Sequence, residues 1–448
     1  MWAKLLVPAL AAAFAGCGQS GGSGLGLGGG SVHGAIVAGL PSIATKNTAR
    51  IGGSNATADA AAVALAVYPG APEQPRAVAL ADVNHWRAAL VACSLMGPPL
   101  HAPLLLTDGS SIPATTGAAL AAMHPTQLIR VGATAQPGGA ISVQIGGHNI
   151  NAVAAGVAAY VAATRSTADN RVVVVSADSP QYAMPAAAWA AETGDPILFV
   201  TRDAVPSETR DAIARLQQPR IYVLGPDSVI GPGALRVLNG LGTVKRIFGP
   251  DPVSNAVAFA RYADGDFGWG IVDPGHGLVF ANDSDPNAAS AAAALSASGA
   301  RGPLLLVDRP DVLPAVVGQF LLDIQPGYQN DPAHGVYNHA WLIGDENAIS
   351  ASVQAEIDGL LEIVPVSSGV GNLPTVGLGA PSGPVSATGA TGATGAKGAT
   401  GPKGARKTAP KAAAPSTGIG PLTGATTVAG RTGRRGVSGS TAGSGPVK

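Results

Sequence analysis

Polar residues that directly follow short apolar runs are the first candidates for chemistry in this 448-residue chain. Three runs, "RAVALAD", "RVVVVSAD" and "GLVFAND", lead into such groups. They offer Asp82, Asn84 and Trp86, then Asp178, Ser179 and Tyr182, then Asn282, Asp283 and Asp285. Three more runs, "PLLLT", "PILFVT" and "PLLLVD", lead to Thr107 and Asp108, Thr201 and Arg202, and Asp308 and Arg309. Ligands of open parallel α/β sheets lie beyond the carboxyl ends of the strands, which makes these residues candidates for binding a polar ligand. The competing expectation is that the acids only cap the helices that follow.

A second group gathers late in the chain. Eight of the 19 aromatic residues fall between Tyr262 and Trp341, among them Trp269, Tyr328, Tyr337 and Trp341. Asp273, His276, His334, Asn338 and His339 are interspersed with them. Flat apolar rings beside hydrogen-bonding groups suit a sugar surface. The alternative is an insertion that packs over one edge of a sheet. A hydrolytic site built from Asp273, His276 and Asp283 is the enzyme alternative, because an acid and a base need only meet in space. His334 and His339, five positions apart in a Pro/Gly-rich stretch, do not have metal-ligand spacing, and no metal or cofactor is expected. No GxSxG, GxGxxG or P-loop follows a strand, and HExxH is absent.

The elements that must position these residues recur three times. "RIGG" leads to Ser54 and Asn55, both good helix caps, and to the Ala-rich "ATADAAAVALAVY". Then come a strand to Asp82, the helical "HWRAALVACSLM", the strand "PLLLT", the helix "PATTGAALAAMH" and the strand "QLIRVG". The expected unit is therefore α-β-α-β-α-β. It repeats from "NAVAAGVAAYVAATR" to "RIYVLG" and from "RIFGPDPVSNAVAFARY" to "HAWLIG". From Pro103 to Gly132 and from Pro196 to Gly225 the spacing is the same 29 residues, whereas Pro303 to Gly344 takes 41. The surplus lies around "PGYQNDPAHGVYN". Alternating strands and helices give parallel sheets covered on both faces. The expected boundaries are 48–145, 146–243 and 244–366 for the three units.

The flanks differ from this body. "MWAKLLVPALAAAFAGC" is a short export signal, expected over 1–17, and its Phe14-Ala15-Gly16-Cys17 end resembles a bacterial lipobox that would lipidate Cys17. A Gly/Ser-rich tether over 18–47 would space the body from a membrane. Cys93 is expected to be a buried core residue. After Glu362 there are nine basic residues and no acid, leaving 18 bases against 27 acids before that point. Within this basic tail, 367–448, glycines at 389, 392, 395, 398, 401 and 404 make six collagen-like triplets. Six triplets are few for a triple helix, so a disordered low-complexity tail is expected, with a homotrimer through it as the alternative.

The pieces "RIGG", "RIFG", "APLLLTD", "DPILFVT", "GPLLLVD", "VGATA", "LGPDSVI" and "IGDENAIS" resemble the cell wall-binding repeat type 2 family, in three divergent tandem copies over about 48–364. The resemblance implies three small α/β units around a pseudo-threefold axis and non-covalent attachment to a cell-wall polymer. Members usually anchor an effector domain, and none is recognisable among these residues. The family's strand-to-helix segment survives only as "ADVNHWRAALVA", "ADSPQYAMPAAA" and "ANDSDPNAASAAA", and the second copy opens with "IGGHNINAVAAG". The best-known ligands of the family are anionic, whereas this body is acidic.

The expectation is thus an exported, lipid-anchored, non-catalytic protein whose partners are a cell-wall polymer and the membrane, with no nucleic acid. An envelope glycan enzyme with its site in the third copy is one alternative. A structural adapter whose tail recruits a partner is the other.

Overall fold

Runs of Val, Ile, Leu and Ala only four to six residues long, each followed by a polar turn, form strands buried on both faces, as parallel sheets require. The computed structural model describes residues 43–366, apart from 70–73, 133, 166–169 and 300, and all of them fall in one compact unit, Met1–Gly371. The export signal, Cys17, most of the tether and the basic tail lie outside the described residues.

In chain order the first elements are β1 (Ile43–Ala44), β2 (Thr48–Ile51), α1 (Ala56–Val67), β3 (Ala77–Asp82), α2 (Trp86–Ala92), β4 (Leu104–Thr107), α3 (Ala114–Met123) and β5 (Gln127–Val131). The second group is β6 (Ile141–Ile145), α4 (Ile150–Thr164), β7 (Arg171–Ser176), α5 (Pro180–Ala183), α6 (Pro185–Thr193), β8 (Ile197–Val200), α7 (Ser207–Arg215), β9 (Arg220–Leu224) and α8 (Pro232–Asn239). The third is β10 (Thr243–Ile247), α9 (Pro252–Arg261), β11 (Gly277–Asn282), α10 (Pro286–Ser296), β12 (Leu304–Val307), α11 (Ala315–Asp323), β13 (Gly327–Tyr328), β14 (His339–Ile343), α12 (Ala351–Leu360) and β15 (Val364–Pro365).

Three main sheets result, ordered β4-β3-β5-β6, β8-β7-β9-β10 and β12-β11-β14-β2-β1. Each of the three has the same parallel core of four strands. The sequence expectation of three strands per unit misses the fourth. That fourth strand is the opening segment of the following repeat: "ISVQI" joins the first sheet and "TVKRI" the second. The third sheet has no following repeat, so it takes β2 from the beginning of the chain, with Leu342 opposite Arg50 and Ile343 opposite Ile51. The ring is closed by the chain's own first strand.

Three elements repeat this offset. Helix α1 follows a strand of the third sheet and packs on β4 and α3 of the first unit. Helix α4 follows the first sheet and packs on β8 and α7, and α9 follows the second and packs on β12 and α11. Helices α2, α6 and α10 meet one another at the centre of the ring. They are built from "WRAALVA", "PAAAWAAET" and "PNAASAAAALS". Alanine there lets helices approach closely. Where the first and second units touch, a Cβ on Gly97 would stand 2.3 Å from the Gly194 nitrogen, so only glycine fits. One hydrophobic core runs through all three units, and a smaller one lies under α1 and α3 on the outer face of the first sheet.

The Arg-Ile-x-Gly opening now has a physical reason. Arg50 is buried and donates to the carbonyl of Gly344 at 3.1 Å. Arg246 donates likewise to Gly225, and Gln144 to Gly132. In each case the side chain of the borrowed strand clamps the left-handed glycine that ends its neighbour. The expected cap forms at Asn55, which accepts from Ala58 N–H, and the structure adds equivalent caps at Asn149, from Ala152, and Asp251, from Ser254.

Candidate functional site

The carboxyl ends of four strands of the third sheet converge on one cleft of about 460 Å³. Strand β2 delivers Gly53, Ser54 and Asn55, and β11 delivers Asn282, Ser284 and Asp285. Strand β12 delivers Asp308, β14 delivers Gly344, Asp345 and Asn347, and α1 contributes Asp59. Asn282 ties two walls together. Its Oδ1 accepts from the Ser284 N–H at 2.9 Å, and its Nδ2 donates to the Ala348 carbonyl at 2.9 Å. Asp285 caps α10, accepting from Asn287 and Ala288 N–H groups at 3.0 and 2.9 Å.

Asp59 sits at the back of this cleft. It is 4% exposed, and its Oδ1 accepts from the Gly53 N–H at 2.6 Å. Burial pushes its carboxyl pKa up to about 7, against the lowering effect of the Gly53 bond and with Asp285 and Asp345 adding to the rise. Asn255 holds the matching place in α9 and accepts from the Gly249 N–H at 3.3 Å. Burial, and then Asp308, also push the Asp283 carboxyl up. The cleft is therefore rich in carboxylate acceptors, with hydroxyls and side-chain amides that both donate and accept, and it suits a ligand rich in hydroxyl or ammonium donors.

The other two sheets end in the same places with different chemistry. At the first, Asp82 is buried and accepts from the Asn84 and Gly109 N–H groups at 3.0 and 3.2 Å, so it organises the turn. Asn84 Nδ2 reaches the exposed Asp108 at 3.1 Å. Trp86 is an inter-unit contact: it meets Phe199 edge-on at 6.0 Å, with the Arg87 guanidinium over its ring. At the second, Asp178 is exposed, its N–H donating to Ser176 Oγ. Tyr182 donates to the Pro250 carbonyl at 3.0 Å, and Arg202 to the Ser228 carbonyl at 3.2 Å.

The late aromatic residues do not join these clefts. Trp269, Asp273 and His276 precede β11, at the opposite end of the strands from Asn282 and Asp283. Tyr328 lies in β13 beside β15, and Tyr337 is exposed, its hydroxyl donating to the Pro332 carbonyl at 2.7 Å. His339 and Trp341 pack edge-to-face at 4.5 Å along β14, and His334 pairs with Asp331 instead. The proposed Asp273, His276 and Asp283 arrangement is corrected by this topology. Asp273 and His276 are 3.5 Å apart, but the whole of β11 separates them from Asp283, a span of about 20 Å. Among the described residues no group of three or more His, Cys, Asp or Glu converges on a metal position. Cys93 is fully buried, its thiol facing the Ser290 carbonyl at 3.3 Å and its pKa pushed far up by burial.

Residues 144–234 match the family described as Cell wall binding domain 2 (CWB2). It is this middle stretch that resembles a cell wall binding domain 2. The matched stretch begins in β6, the borrowed strand of the first sheet, and ends in α8. Two solved structures share the fold. Cwp6 from Clostridium difficile aligns with a TM-score of 0.56 at 16% identity, over 69% of this chain and 48% of that one. Cwp8 from Clostridium difficile aligns with a TM-score of 0.57 at 16% identity, over 71% of this chain and 52% of that one. The chain thus spans about half the length of the solved structures it matches. No curated protein matches it.

At the cleft of the third sheet, sequence reasoning missed Asp59, Asp345, Asn347 and Ser54. A lone Asp in an otherwise apolar "ATADAAAVALAV" is the signal that would have found Asp59, since an unpaired acid in a buried helix calls for a partner.

Proposed function

We propose that this protein is a non-catalytic binder of the cell envelope that holds a cell-wall polymer at the carboxyl ends of its strands. The cell wall binding domain 2 match supports the partner class, and the four-strand cleft of the third sheet carries the assignment to a place. Asn282 and Asp308, joined by Asp59 and Asp345, are its ligand contacts, with Asp283 next to them outside the cleft lining. Asp82, Asp108, Asp178 and Arg202 are the secondary contacts at the other two edges. An acceptor-lined cleft favours the hydroxyl-rich or amine-bearing stretches of a polymer over its phosphates or carboxylates. The basic tail is the complementary contact for those anionic groups, and lipid attachment at Cys17 would fix the body near the membrane.

The test is co-sedimentation of the full chain with purified cell-wall sacculi across a salt series, alongside Asp345→Asn and Asn282→Ala variants and a chain ending at 366. Binding that survives removal of the tail but falls in the cleft variants is the expected result. Binding that needs the tail alone and is stripped by salt would overturn the assignment to the cleft and leave the adapter reading.

A further inference from the structure

The opposite end of the strands carries a second cavity of about 430 Å³, between the second and third units. Its walls come from the end of α6, with Trp189, Glu192 and Thr193, and from the segment 266–276, with Asp266, Trp269, Ile271 and His276. Arg301, just before β12, completes the rim, its guanidinium donating to Glu192. We propose that this cavity is a binding site for one pyranose ring of a glycan, separate from the cleft at the carboxyl ends of the strands.

Three observations lead there. First, the cavity is aromatic on one side. The indoles of Trp189 and Trp269 meet edge-to-face at 5.5 Å, backed by Phe267. A pyranose offers a flat face of C–H groups that packs on such a surface. Second, Trp269 Nε1 is buried at this site without a hydrogen bond, and His276 Nε2 has only Asp273 Oδ1 near it, at 3.5 Å. Trp189, by contrast, donates its indole N–H to Asp195 at 2.8 Å. An unpaired buried donor costs about 1 to 3 kcal/mol, so this indole N–H calls for a guest that accepts from it. Third, the rim holds the Glu192 and Asp266 carboxylates and the Arg301 guanidinium, an acceptor-rich edge with one charged donor that hydroxyls pointing outward from a ring plane can bond. The third-copy insertion helps to shape the cavity, since Val336 packs against Gly275.

The test is tryptophan fluorescence of the full chain titrated with N-acetylglucosamine and with its β-1,4-linked trimer. A saturable change is expected, tighter for the trimer. Arg301→Ala and His276→Ala are expected to weaken binding about tenfold each, the size of one lost charged or buried hydrogen bond. Both variants must keep the thermal midpoint of the parent, and Trp269→Phe is a third probe because it retains the ring packing while deleting the N–H. Asp345→Asn, in the other cleft, is expected to leave the titration unchanged. No saturable change with either sugar overturns the proposal, as does a change that all three cavity variants retain. Loss of the titration only in Asp345→Asn would assign the sugar to the other cleft and overturn it too.

Discussion

Arg50 and Gly344 lie 294 positions apart in the chain, and the guanidinium of the first donates to the carbonyl oxygen of the second at 3.1 Å. The same side chain also donates to the carbonyls of Asp345 and Ile349 at 2.8 and 2.6 Å and to Gln354 Oε1 at 3.0 Å. These bonds hold the first strand of the chain in the last sheet. Arg50→Leu would leave several buried carbonyls unpaired and is expected to lower stability by about 3 kcal/mol or more. Arg50→Gln should cost less, because Gln144 clamps Gly132 with an amide in the first sheet. Urea denaturation of the two variants measures the difference. Equal losses would mean that the clamp on Gly344 is not what closes the ring.

Asp59 makes stability depend on pH in an unusual direction. Its folded pKa, about 7, lies above the ordinary value of 3.8, so the folded protein holds the proton more tightly than the unfolded chain. Its contribution is therefore fully present below about pH 4 and fades as pH rises to about 7, by roughly 1.4 kcal/mol for each unit between the two pKa values. Asp59→Asn keeps an acceptor for Gly53, as Asn255 does for Gly249, and removes the titration. The variant should gain on the parent progressively between pH 4 and 7 in chemical denaturation. A constant difference across that range would show that Asp59 ionises normally.

Asp195 is fully buried and accepts from Arg171 at 3.0 Å and from Trp189 at 2.8 Å. Arg171 in turn reaches Asp266 at 2.6 Å, in the loop ahead of β11. Removing one partner of a buried ion pair strands the other, at a cost of about 3 to 5 kcal/mol. Asp195→Ala should therefore lower the unfolding midpoint sharply, whereas Asp266→Ala, at an exposed carboxylate, should cost much less. Thermal unfolding of both distinguishes a buried anchor from a surface pair.

Cys93 lies at the meeting of the central helices with its thiol buried and held in the protonated form. In a Cys17→Ser background it should resist a thiol-specific reagent in the native protein and react on denaturation, since only the thiolate is nucleophilic. Mass spectrometry of the labelled chain reads this directly. Rapid native labelling would mean that the ring opens at its centre.

Much of this molecule is written locally. The apolar runs ending in Asp82, Thr107, Asn282 and Val307 have the length and burial of interior strands, and Asn55 has the place of a helix cap, so element type and the threefold repeat were legible. Backbone conformation and caps depend on neighbours a few residues away, which is why a linear reading reaches them. The acids at the strand ends were legible as candidates as well, but their roles were not. Asp82 and Asn282 bind backbone in their own turns, and Trp86 is taken up by Phe199 of the next unit.

The sequence by itself determined the alternating strands and helices, the threefold repeat and the polar groups at the strand ends. Only the tertiary structure decided which sheet each opening strand joins, and with it the walls of the main cleft. "TARI" reads as the start of the first repeat, yet its hydrogen bonds go to β14, about 290 residues later. A strand carries no label for its partner, because every backbone offers the same donors and acceptors. The choice is made by shape and burial once the ring closes, and that closure brings Asp59 and Ser54 beside Asn282, Asp308 and Asp345.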